Sequence, residues 1–68
     1  MPSSVIRRFR YDAVGQRLTV TFTSGAVYAY LDVPPKVAAA LDQAESQGRL
    51  FGEAIRDRFA FDRLRPPD

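Results

Sequence analysis

A serine nucleophile at Ser3, Ser4, Ser24 or Ser46 would need a base beside its hydroxyl. The 68 residues contain no histidine, and Lys36 is the sole lysine. Carboxylates are more numerous, yet Asp12, Asp32, Asp42, Glu45, Glu53 and Asp57 fall at turn or helix-surface positions where ordinary solvated charge is expected. Their scattered spacing does not make a calcium loop. Without cysteine or histidine there is neither a zinc site of the usual ligand types nor a disulfide. Neither GxxxxGK[ST] nor GxGxxG occurs, so no glycine run cradles a phosphate. The expectation is a protein that is not an enzyme and carries no cofactor and no metal.

Arginine is the chemistry that remains. Nine of the ten basic residues are arginine, a side chain suited to planar, bidentate contact with phosphate or carboxylate. Arg8, Arg10 and Arg17, with Thr19 and Thr21 as hydroxyl partners, form a candidate nucleic-acid-binding set, which Arg49 and Arg56 would extend. Two plainer readings stand beside it. Arginine bias also follows genome composition, and a net charge of +2 is modest for a dedicated nucleic-acid binder, so these arginines could simply be solvated or paired with carboxylates.

The elements that must position these residues are short. In "RLTVTF", Leu18, Val20 and Phe22 alternate with Arg17, Thr19 and Thr21, the period of a half-buried strand. With "SSVIRRFRYD" before it and "AVYAYL" after it, residues 5–31 predict a three-stranded antiparallel meander. Pro34 and Pro35 stop the sheet and suit a first helical turn. "KVAAALDQAES" then predicts a helix with Val37, Ala40, Leu41 and Ala44 on one stripe, closed by Gly48. "RLFGEAIRDRF" predicts a second, burying Leu50, Phe51, Ala54 and Ile55 and exposing Arg49, Glu53, Arg56 and Asp57. Phe59 and Phe61 would lie on the core as an extended tail, with the last four residues frayed.

Tyr28 and Tyr30 share one face of the third strand, and the preceding loop decides which face. A two-residue loop, Ser24-Gly25, sets Phe22 opposite Val27 and leaves the tyrosines outside. A three-residue loop, Thr23-Ser24-Gly25, sets Phe22 opposite Ala26, Val20 opposite Tyr28 and Leu18 opposite Tyr30, turning both inward. Glycine in last place favours the three-residue loop. A four-residue first loop, Ala13 to Gln16, pairs Tyr11 with Leu18 and Phe9 with Val20, so the same face gathers the large side chains. The other face then carries Arg8, Arg10, Thr19 and Thr21 beside Val27, Ala29 and Leu31. Ile6 joins it unless the first strand is bulged.

"SSVIRRFRYD", "LTVTF" with a following glycine, "YAY", "VPP", "AESQG" and "LFGEAIRDRF" resemble, in order and spacing, the KTSC domain, over about residues 3–61. That family is named for its occurrence at the C-terminus of some lysyl-tRNA synthetases. It also occurs as short free-standing proteins, and the resemblance implies RNA binding with no assigned catalytic residue. Gly52 stands where members often have asparagine after the phenylalanine.

The expectation is thus a single domain of residues 1–68, with a core near 3–61 and a flexible tail over 62–68. Its predicted fold class is α+β, a three-stranded antiparallel meander followed by two short helices packed on one face. No secretory signal and no run of about 18 apolar residues is visible, so a soluble, cytoplasmic protein with no membrane partner is expected. The expected function is non-catalytic RNA binding, to tRNA or a single strand. The alternative is self-association or protein interaction through Val27, Ala29 and Leu31, or through the third strand as an unprotected edge.

Overall fold

The computed structural model describes residues 6–66. Ser3, Ser4, Val5 and the final Pro67-Asp68 lie outside the described residues, and with them the expected start of the first strand and the end of the tail. Three strands come first: β1 (Ile6–Asp12), β2 (Arg17–Phe22) and β3 (Val27–Tyr30). Helices α1 (Pro35–Gln43) and α2 (Gln47–Ala54) follow, and a fourth strand, β4 (Phe61–Arg65), ends the described chain. All neighbours in the sheet, ordered β1-β2-β3-β4, are antiparallel.

The α+β class stands, and the strand count is corrected from three to four. Residues 61–65 pair with β3, so the part of the expected 62–68 tail up to Arg65 is strand, and β3 has partners on both sides and is not an edge. β4 lacks an apolar alternation: its five residues are all exposed and three are charged. What holds it is the row of backbone groups that β3 presents, together with Phe61, whose ring stacks on Tyr28 at 5.0 Å. Its charges suit the open edge it creates.

Both hairpins adopt the registers expected from their loops. Tyr11 faces Leu18 and Phe9 faces Val20 across the four-residue loop. Across the second hairpin, Val20 faces Tyr28 and Leu18 faces Tyr30. Thr23-Ser24-Gly25 closes through Gly25 N–H to Phe22 C=O (3.0 Å) and Phe22 N–H to Ala26 C=O (2.9 Å). Gly25 has φ 96°, a left-handed conformation that costs glycine little. In β1, Ile6 faces Phe22 while Arg8 faces Thr21, so one extra residue is bulged between them. The bulge turns Ile6 into the core.

The helices cover the face that bears Leu18, Val20 and Tyr30. Leu18, Val20, Val33, Leu41 and Ile55 are fully buried there, each burial worth about 1.5–3 kcal/mol. Pro35 takes the first position of α1, where a missing N–H costs nothing. The inward stripe of α1 is Ala38 and Leu41, with Val37 partly buried; Ala40, expected inside, is exposed. α1 ends at Gln43, and Gly48 does not close it: Gly48 is the second residue of α2. Ser46 caps α2 instead, its Oγ accepting from Arg49 N–H at 3.3 Å.

One side-chain hydrogen bond ties the sheet to the chain entering α1. The Tyr11 hydroxyl donates to the Val33 carbonyl at 2.6 Å, while Val33 N–H donates to Gln16 C=O at 2.8 Å. Tyr11→Phe should lower stability by about 0.5–1.5 kcal/mol with little change in the urea m-value, as read by equilibrium denaturation.

Candidate functional site

Two concave surfaces lie on opposite sides of the sheet. The first is on the face that the helices leave uncovered, a groove of about 410 Å³ lined by Arg8, Phe9, Arg10, Thr19 and Thr21. Strand pairing assembles it: Arg8 faces Thr21 and Arg10 faces Thr19, making two successive arginine–threonine rungs. The β1 bulge places Arg7 and Arg8 together against Thr21. Among the described residues no carboxylate lines this groove, and neither Arg8 nor Arg10 has a carboxylate within ion-pair distance. Arg17 shares the face but faces Asp12, whose Oδ1 accepts from Val14 N–H at 3.1 Å.

Of the apolar residues expected on this face, Ala29 is fully buried and Val27 and Leu31 are only partly exposed.

Arg49 and Arg56 do not extend the arginine face. They lie on the helix side, with Arg49 in an exposed pair with Glu53 at 3.4 Å. Such a pair on a helix surface is worth about 0.3–0.5 kcal/mol. Arg56, in the turn after α2, borders the second surface.

That surface, about 420 Å³, runs between α2 and the β2–β3 hairpin. Its floor is Tyr30 and Phe51, both buried, and its walls are the partly exposed Phe22 and Tyr28. Phe22 and Phe51 meet edge to face at 5.4 Å, as do Tyr30 and Phe51 at 5.3 Å; Tyr28 and Tyr30 lie nearly parallel at 6.3 Å. Thr23 and Ser24 bound it on the hairpin side, Gly48 and Gly52 on the helix side. Arg63 lies over the Tyr28 ring, 5.8 Å from its centre.

The tyrosines therefore serve the core and line this groove together. The sequence reading missed the groove, although two glycines four apart on α2 carried a signal: a helix face without side chains. Burial, then the neighbouring Tyr28, raise the Tyr30 hydroxyl above its ordinary value; Asp57 adds to this and Arg56 opposes it. The hydroxyl is thus protonated at neutral pH and able to donate.

Among the described residues no three carboxylates gather in a way that could hold a metal ion, and no helix is long and apolar enough to cross a membrane.

A family model described as the KTSC domain matches residues 2–59. A lysine–tRNA ligase of Nostoc punctiforme is 46% identical over 61 residues, covering 90% of this chain but 11% of the ligase. The chain thus spans about a tenth of such a relative. An uncharacterised protein of Stutzerimonas stutzeri is 45% identical over 56 residues, 82% of this chain and 79% of that one. The crystal structure of a KTSC domain protein from Yersinia pestis superposes with a TM-score of 0.80 at 28% identity, covering 82% of this chain and 79% of that one.

Two outcomes test the helix-side groove. Gly52 has ordinary helical backbone, and a Cβ there would meet nothing within 4 Å. Gly52→Ala should therefore stabilise the protein by roughly 0.5–1 kcal/mol, seen as a rise in Tm. Because Tyr30 holds its proton more tightly when folded, the folded state binds more protons than the unfolded one once pH passes the unfolded tyrosine value of about 10. Its contribution to stability should be full below that pH and fall above it, a fall that Tyr30→Phe removes from the pH dependence of the urea midpoint.

Proposed function

This chain belongs to the KTSC domain family, and from that premise we propose that it is a non-catalytic module that binds RNA, either tRNA or a single strand, on the uncovered face of its sheet. The observation that carries the reading is the groove in which Arg8 and Arg10 stand on adjacent rungs with Thr21 and Thr19, with no lining carboxylate among the described residues. Two residues apart on a strand, the arginines are about 7 Å from each other, of the order of the step between phosphates in an extended strand. Guanidinium forks then take phosphate oxygens or stack on bases, and the threonine hydroxyls take sugar or phosphate oxygens.

The groove's β1 side is the sheet's margin, so a strand can run along it without meeting a helix. Arg7, beside Arg8 at the bulge, adds charge at one end, and Arg17 adds it at the other. The lysine–tRNA ligase relatives act on tRNA by their names, which makes tRNA the first ligand to try.

With three phosphate contacts, the logarithm of affinity should fall against the logarithm of salt with a slope of roughly −2. In an NMR titration at low ionic strength, the amides of Thr19 and Thr21 should shift. Arg8→Ala combined with Arg10→Ala should cut the slope to roughly −0.7 while the protein stays folded. Absence of any salt-sensitive shift with tRNA or single-stranded RNA would overturn the reading. A dimer by light scattering, lost on Val27→Asp and without RNA binding, would replace it with self-association.

A further inference from the structure

We propose that the groove between α2 and the β2–β3 hairpin is a second binding site, built to take the C-terminal aromatic residue of a peptide, ring inward and carboxylate on Arg56.

The size and lining of the groove carry this. At about 420 Å³ it falls within the range of small-ligand sites and matches one ring with a short stretch of backbone better than an extended chain. Its rings are set at steep angles: Phe22 lies at 83° to Tyr28 and Phe51 at 79° to Tyr30. A ring entering such a corner can stack offset on one wall and meet another edge-on, the two arrangements aromatic pairs prefer.

Gly52 supplies the second argument. Its backbone is ordinary helix, its helix position is exposed, and no atom would crowd a Cβ there, so neither conformation nor packing within the chain calls for glycine. Glycine in such a place is a standing loss of stability. What its missing side chain does is keep the bank of the groove open.

Charge selects the ligand. Among the described residues Arg56 is the one charged residue lining the groove, and no carboxylate lines it. A single guanidinium matches a carboxylate, two hydrogen bonds to two oxygens. A free amino acid would bring an ammonium group with no lining acid to receive it, whereas a peptide's terminal residue has an amide in its place. A nucleotide triphosphate would carry more negative charge than the site answers. Ser24 Oγ already accepts from Ala26 N–H at 3.5 Å, which leaves its O–H to donate to a ligand oxygen, as the Thr23 hydroxyl also can. Asp57 adjoins Arg56 in sequence and its charge reaches Tyr30, which limits the site to modest affinity.

The test is an NMR titration of the intact protein with acetyl-Gly-Phe, its C-terminal amide, phenylacetate and uridine monophosphate. Acetyl-Gly-Phe should shift the amides of Ser24, Gly48 and Gly52 saturably in the millimolar range. Amidation of the ligand, or Arg56→Gln in the protein, should each weaken binding about tenfold, the worth of one charge-assisted contact. Gly52→Leu, at an exposed helix position where folding is preserved, should abolish it. Arg8→Ala with Arg10→Ala should leave it unchanged, which separates this site from the RNA face. No saturable shift at those three amides, equal binding of the amide, or tighter binding of the nucleotide would each overturn the proposal. So would phenylacetate binding as tightly as the peptide.

Discussion

Gly25, at φ 96°, ends the loop between β2 and β3 and thereby sets which residue of one strand faces which of the other. Side chains alternate across a strand, so a slip of one residue would send Tyr28 and Tyr30 to the outer face and Val27 and Ala29 inward. With Gly25 where it is, Val20 meets Tyr28 and Leu18 meets Tyr30, and the sheet has a face large enough for two short helices. Every later contact follows from that register. Phe51 can pack on Tyr30 and Phe22 only because those rings share a side, and Phe61 can join the sheet only because Tyr28 and Tyr30 offer rings to stack on.

The same constraint separates the two grooves. The alternation that turns the tyrosines inward turns Thr19 and Thr21 outward, opposite Arg10 and Arg8. One face becomes cationic and hydroxyl-bearing, without a helix over it. The other becomes aromatic, roofed by α1 and α2 except where Gly48 and Gly52 leave α2 bare. A domain this small has few large side chains to spare, so the rings that line the second groove also stabilise the core. A Tyr28 substitution would therefore disturb the core and the groove lining together, whereas Gly52 and Arg56 are exposed and can be changed with less effect on the core.

Much of the candidate site was legible in the chain itself, residue by residue. Arg8, Arg10, Thr19 and Thr21 could be grouped from two hairpin loops and the alternation of "RLTVTF", because local turn geometry sets register over short distances. Arg49 and Arg56 could not be assigned to a face in that way, since the direction in which a helix returns over a sheet is decided by packing far along the chain. The stripe of α1 was misjudged at one residue, Ala40 being expected inside where Ala38 is found, because alanine's small side chain gives little signal as to which side is buried.

What the sequence by itself determined was the local order: two hairpins with their registers, proline at the start of α1, Ser46 and its neighbours at the junction of the helices, and the KTSC family of the whole. The local features rest on turn chemistry and periodicity, which act over a few residues, and the family rests on the resemblance of six segments in order and spacing. The tertiary structure alone decided β4 and the aromatic groove. β4 has almost no strand signal of its own, and forms because β3 presents unpaired backbone groups and two tyrosine rings. The groove exists because Phe22, Tyr28, Tyr30, Phe51 and Arg56, up to 34 positions apart from Phe22 to Arg56, meet only once the helices lie on the sheet.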